Sequence, residues 1–188
     1  LERMKVTVTG PSKLNGQVAV SGAKNSATRI MAAALLSDGP VTLRNFPTKL
    51  EDVKAKAAFI NQMGASCSLH DESHSATISP NNLSAEHIVD YNLPVRTTYL
   101  LAATQLLHDG VAKVPYPGGC KIGSRGYDLH MYVWQQMGCQ TVEKSDFIEV
   151  VGKLQGGNID FPISTVGGTE SALLCGAVAS GTTTVRNA

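Results

Sequence analysis

Cys120 is the residue in this chain best placed to do chemistry. It sits in the run Pro117-Gly118-Gly119-Cys120-Lys121-Ile122-Gly123-Ser124-Arg125-Gly126-Tyr127-Asp128-Leu129-His130. Pro115 and Pro117 break any strand ladder, and Gly118, Gly119 and Gly123 free the backbone for loop conformations. A thiol in such a loop is open to solvent and substrate. Lys121 beside it and Arg125 five residues on favour the thiolate. Cys67, Cys139 and Cys175 lie among apolar neighbours and read instead as buried structural thiols. His70-Asp71-Glu72-Ser73-His74 has the residue types of a metal site. With nothing nearby to complete one, it reads as the solvated turn of a hairpin.

The elements that must position the cysteine loop follow from the periodicity. Met4 to Thr9 and Gln17 to Val20 alternate as strands. Ser21-Gly22-Ala23-Lys24-Asn25-Ser26 then opens an Ala- and Leu-rich helix to about Ser37, ended by Asp38-Gly39-Pro40. Val41-Thr42-Leu43 is a strand, and Lys49 to Met63 a helix with Val53, Ala57, Ile60 and Met63 on one face, stopped by Gly64. Ser66 to Leu69 and Ala76 to Ser79 form two further strands. The pattern then restarts. A helix is expected from Pro94 to His108, a strand from Val111 to Val114, and a helix from Tyr127 to Met137. Strands follow at 140–143, 147–151 and 159–161, then a helix from Val166 to Ala179 and a strand from Thr182 to Arg186.

This is a repeat. Gly39, Gly110 and Gly181 recur every 71 residues, each between a helix and a strand. Leu35-Leu36-Ser37-Asp38-Gly39 matches Leu106-Leu107-His108-Asp109-Gly110, and Asn61-Gln62-Met63-Gly64 matches Gln135-Gln136-Met137-Gly138. The fold class is therefore α/β (α+β), built from βαβαββ units at about 23–93, 94–164 and 165–188. The third unit has only 24 residues, so the chain is expected to be cut short. Residues 4–22 are N-terminal strands assignable to a second domain, and 1–3 read as a cloning remnant. The same period makes Asn25, Arg96 and Gly167 equivalent, each at a helix N-terminus where free N–H groups and the dipole favour anions. Lys24 and Arg96 add full charges there, and Thr165-Val166-Gly167-Gly168-Thr169 allows close backbone approach. A phosphate-rich ligand is the expectation. Neither dinucleotide nor GxxxxGK phosphate-loop fingerprints occur.

Composition excludes other classes. The formal net charge is +1 and aromatics make up 5%, which argues against a nucleic-acid partner. No apolar run approaches the roughly 18 residues of a membrane span. The cysteines show neither disulfide-framework nor metal-ligand spacing, so no metal or cofactor is expected, and the setting is reducing and cytoplasmic.

Ser21-Gly22-Ala23-Lys24-Asn25 with Ala32-Ala33-Ala34-Leu35-Leu36, and the cysteine loop through Asp128-Leu129-His130, resemble the enolpyruvyl transferases. The branch that uses UDP-N-acetylglucosamine in peptidoglycan synthesis is the most similar. The resemblance implies an inside-out α/β prism of two three-unit domains, with substrates held between them. Here it covers only the cysteine-loop domain, so the second domain is an expected partner. It further implies transfer of the enolpyruvyl group of phosphoenolpyruvate to the 3-hydroxyl of UDP-N-acetylglucosamine, with release of phosphate. Cys120 becomes the general acid for C3 and the residue the epoxide fosfomycin would label. Lys24 and Arg125 become the catalytic cations holding phosphoenolpyruvate, assisted by Arg96, with Asn25 on substrate. Gly126, Tyr127, Asp128, Leu129, Ile163, Ser164, Thr165, Val166 and Gly167 become the substrate-binding backbone beside the uridine nucleotide. The family's base lies in the other domain, so this chain alone is expected to be inactive.

Two departures keep alternatives open. Gly126-Tyr127 replaces the usual Pro-Val of the family's loop. Arg29 lies five residues after Lys24, where a sister branch carries an arginine that binds its acceptor. The alternatives are another phosphorylated nucleoside or sugar as acceptor, and a non-catalytic half-enzyme that only holds a phosphorylated ligand.

Overall fold

A computed structural model describes residues 5–92, 95, 97–116 and 126–188. Helix α1 (Lys24–Ala34) buries Ala27, Met31 and Ala32 along one stripe. Strand β1 (Val41–Arg44) follows, then helix α2 (Glu51–Gln62), whose Glu51 and Asp52 complement the positive end of its dipole. The chain leaves α2 through Gly64 at φ +87°, a left-handed turn that a side chain would strain. Strands β2 (Ser66–His70) and β3 (Ser75–Ser79) make the expected hairpin around the exposed turn at 71–74. The sheet order is β1-β3-β2, all antiparallel, with Leu43 opposite Ala76 and Cys67 opposite Ile78. Met31, Ile60, Ala76 and Ile78 are fully buried where the two helices cover the sheet.

The second unit repeats this plan. A 3-10 turn (Thr97–Leu101) runs into α3 (Ala102–Asp109), followed by β4 (Val111–Pro115), α4 (Asp128–Gln136), β5 (Gln140–Glu143) and β6 (Phe147–Val151). Its sheet order, β4-β6-β5, is the counterpart of the first. Gly138 leaves α4 at φ +86°, as Gly64 leaves α2. Trp134, Ile148 and Val150 are fully buried in this unit's core. Strand β7 (Asn158–Asp160) then pairs in parallel with β8 (Thr184–Arg186) across helix α5 (Val166–Val178). The first and last of these helices start at Lys24 and Val166, two periods of 71 residues apart.

Two expectations need correction. The alternating stretches Met4 to Thr9 and Gln17 to Val20 form no strand within the described residues. Val8 and Val18 are each 88% exposed, and an extended segment with no partner has neither ladder bonds nor burial to hold it. The helix expected from Pro94 to His108 is, among the described residues, a 3-10 turn over Thr97–Leu101 that becomes α-helical only at Ala102. Thr97 and Thr98 are β-branched, and Thr98 Oγ1 donates to Pro115 O at 3.2 Å rather than serving the helix. The other element boundaries shift by three residues or fewer.

Candidate functional site

The start of α1 has the features of an anion site. Ala23 caps it with extended backbone and no side-chain hydrogen bond, and no acidic residue occupies the first turn. Lys24, Asn25 and Ser26 are exposed, and N–H groups this early in a helix have no acceptor within it. Lys24 Nζ lies 3.3 Å from Asp52 Oδ2, with both side chains about half exposed. A pair this solvated contributes at most ~1 kcal/mol, so an incoming anion can compete for the lysine. Gly22 sets the approach to the helix. A Cβ there would overlap the backbone carbonyl of Asn45 and lie 2.9 Å from Pro47 Cδ.

The start of α5 is more enclosed. Thr165 Oγ1 caps it by accepting from Gly168 N at 3.2 Å. Gly168 is buried against the Phe161 ring, and a Cβ on Gly167 would lie 3.3 Å from the His130 ring. Ile163 and Val166 are exposed, and Ser164 Oγ donates to Ala188 O at 3.0 Å. His130 Nδ1 and Ser171 Oγ are 2.6 Å apart, and the imidazole stacks on Tyr99 with centroids 4.2 Å apart. These contacts dock the first turn of α4, which carries Asp128 and Leu129, against the beginning of α5. Asp128 is exposed and Leu129 half-buried. Tyr127 turns aside: its hydroxyl donates to Glu143 Oε2 at 2.7 Å. That bond to a carboxylate, with smaller effects of desolvation and neighbouring charge, pushes its pKa up to about 12.

The starts of the units are tied together by charged side chains. Arg29 Nε donates to Glu170 Oε1 at 2.8 Å, joining α1 to α5, and Arg29 Nη1 donates to Asn25 O at 3.1 Å. Lys56 Nζ reaches Thr28 O of α1 at 2.6 Å and Thr97 O at 3.0 Å. So Asn25 is linked through Arg29 to Glu170 of α5, and Gly167 at the start of α5 lies beside His130 of α4, whereas Lys24 pairs with Asp52 of α2. Cys120, Arg125 and Arg96 lie outside the described residues. The other three thiols are buried, and burial raises each pKa, to about 11 for Cys67 and about 12 for Cys175. A cavity of about 460 Å³ opens elsewhere, where α1 and α3 end, with Asp38, Asn82 and Asp109 in its wall. None of the residues nominated from sequence lines it.

Sequence reasoning missed Lys56 and Glu170. Lys56 carried a readable signal, because it falls between Val53 and Ile60 on the apolar stripe of α2. Glu170 carried none, since its partner is 141 residues away.

A repeated antiparallel three-stranded sheet covered by helices defines an α/β prism domain of the enolpyruvyl-transferase type. Solved structures agree. The enolpyruvyl transferase NikO from Streptomyces tendae superposes with a TM-score of 0.69 at 22% identity, over 94% of this chain and 41% of that one. EPSP synthase from Acinetobacter baumannii gives 0.67 at 18% identity, over 90% and 40%. The chain belongs to the EPSP synthase (3-phosphoshikimate 1-carboxyvinyltransferase) family, whose model matches residues 8–188. Among curated relatives, the UDP-N-acetylglucosamine 1-carboxyvinyltransferase of Acinetobacter guillouiae is 38% identical over 188 residues, and that of Paracoccus denitrificans 35% over 189. Each match takes in 98% of this chain and 44% of the relative's length. No helix among the described residues is long and apolar enough to cross a membrane.

Proposed function

We propose that this chain is the cysteine-loop domain of an enolpyruvyl transferase. It moves the enolpyruvyl group of phosphoenolpyruvate to the 3-hydroxyl of UDP-N-acetylglucosamine, a cytoplasmic first committed step of peptidoglycan synthesis. The observation that carries this reading is similarity along 98% of the chain to relatives with that name. The exposed start of α1, with Lys24 and Asn25, supports the anionic part of it.

In this reading C3 of the enol is protonated by Cys120 while the acceptor oxygen attacks C2. The adduct then loses phosphate and a C3 proton, restoring the enol. Lys24 and Arg125, with Arg96, neutralise the phosphoenolpyruvate anion, and the N–H groups at the start of α1 add fixed dipoles. The backbone of Gly126 to Leu129 and of Ile163 to Gly167 lines the nucleotide. The deprotonating base comes from the second domain, and no metal or cofactor takes part.

A second reading keeps the donor and changes the acceptor to another phosphorylated nucleoside or sugar. Arg29 favours it: its guanidinium lies at the α1 start, bonded to Asn25 O. Phosphate release from phosphoenolpyruvate separates the two. The assay uses the polypeptide joining this chain to its second domain, beside the 188-residue chain alone. Release with UDP-N-acetylglucosamine supports the first reading, and release only with another phosphorylated acceptor the second. Binding of phosphoenolpyruvate without turnover by either polypeptide leaves a non-catalytic phospholigand binder.

A further inference from the structure

Lys56 is only 1% exposed, yet its carbon chain ends in an ammonium rather than a methyl group. The nitrogen donates to Thr28 O at 2.6 Å, Thr97 O at 3.0 Å and Thr97 Oγ1 at 3.2 Å, so all three N–H bonds have an acceptor. The charges that act on it are Arg29 on α1, which repels it, and Glu170 on α5, which attracts it. On α2 itself, Asp52 one turn earlier is engaged by Lys24. The 3-10 turn at Thr97–Leu101 contributes no charge.

Stability gives a weak reason for this arrangement. A fully buried cation is costly, and a methionine would fill nearly the same volume without that cost. The two carbonyls lie within helical turns, so neither depends on Lys56 to begin with. What the ammonium supplies is a fixed distance between units. Thr28 lies just inside the start of α1, and Thr97 opens the second unit's helix.

We propose that Lys56 is a positioning residue, whose ammonium holds Thr28 to Thr97 so that the anion-facing start of α1 keeps a fixed spacing from the 3-10 turn of the second unit. The inference rests on the anion-binding reading of the α1 start given above. A neutral amine would serve this purpose less well, since it has two N–H donors for three acceptors and turns a lone pair toward one of them. Burial, reinforced by Arg29 and opposed by Glu170, lowers its pKa from 10.5 to about 7, so the tie weakens as pH rises through about 7.

The test compares full-length protein carrying this chain with its Lys56→Met and Lys56→Arg variants. Amide hydrogen exchange at residues 24–29 and 97–101 is measured without ligand, and phosphoenolpyruvate affinity by calorimetry from pH 6 to 9. Lys56→Met should fold, exchange faster in both segments, and bind phosphoenolpyruvate roughly tenfold more weakly at pH 6. The loss of affinity that wild type shows above about pH 7 should be smaller in Lys56→Met. Lys56→Arg, which restores donors, should recover part of the affinity. Unchanged exchange in a folded Lys56→Met overturns the tie, and changed exchange with unchanged affinity overturns the positioning role. Should wild type bind no phosphoenolpyruvate, the functional reading fails, and the exchange data decide the tie by themselves. If Lys56→Met does not fold, the nitrogen-15 signal of the wild-type Lys56 ammonium decides: slow proton exchange at pH 6 supports the tie, and exchange as fast as a surface lysine's overturns it.

Discussion

Arg29 Nε donates to Glu170 Oε1 at 2.8 Å, joining the second turn of α1 to α5 across 141 residues of sequence. Both side chains are about three-quarters withdrawn from solvent, at 31% and 24% exposure. The pair lies between the solvated regime, where ion pairs contribute little, and the fully buried one, where losing a partner costs several kcal/mol. Because Arg29 also holds Asn25 O, the bond fixes part of the α1 start as well as the packing of α1 on α5.

Glu170→Gln should therefore lower stability by roughly 1 kcal/mol, read from the midpoint of urea unfolding at pH 7. Glu170→Ala should cost more, because the guanidinium keeps its desolvation without any acceptor from α5. An unchanged midpoint for both would show that the pair contributes nothing to the fold.

Lys56 gives stability a pH dependence of definite sign. Its folded pKa, about 7, lies below the ordinary 10.5, so between these values the unfolded chain holds a proton that the folded chain does not. Stability must then rise with pH across that window, and the burden of the buried charge is greatest below pH 7. Lys56→Met removes this contribution. The variant's advantage over wild type in urea should be largest near pH 6 and should shrink toward pH 10. A difference independent of pH would mean that Lys56 titrates normally.

Gly22→Ala tests the approach to the site. The added methyl group would overlap the carbonyl of Asn45 and press on Pro47, both parts of a backbone that can yield only by moving. A loss of about 1–3 kcal/mol is expected, together with weaker phosphate binding as Lys24 shifts. Wild-type stability and binding would show that the segment before α1 adjusts freely.

Much of this fold was readable because it is written twice. The 71-residue recurrence of Gly39, Gly110 and Gly181 announced the repeat, and the matching sheet orders β1-β3-β2 and β4-β6-β5 are its three-dimensional form. Alternation at Val6, Val8, Val18 and Val20 was equally visible, but a strand also needs a neighbour, and periodicity within one segment cannot supply it. The site was legible to the extent that it is local. A helix start with Lys24 and Asn25 is a short-range pattern, whereas Arg29–Glu170 and Lys56–Thr97 depend on how the units pack. The lysine in the apolar stripe of α2 was a departure from pattern that could have been followed.

The thiols give the sharpest test of the proposed chemistry. Cys67, Cys139 and Cys175 are buried, and burial holds all three pKa values above the ordinary thiol range. Each is therefore both shielded and predominantly protonated at pH 7, which disfavours attack on an electrophile. Cys120 in its basic glycine loop is the proposed nucleophile for fosfomycin, an epoxide that carries an anionic phosphonate. Peptide mapping after brief exposure should find the label on Cys120 first. Lys24→Ala should slow labelling by removing a cation from the anion's docking site, even though Lys24 need not touch the sulfur. Cys120→Asp should abolish it while keeping a group able to donate a proton. Equal labelling of all four cysteines would mean that the loop thiol has no special reactivity, and labelling unaffected by Lys24→Ala would separate the thiol from the anion site.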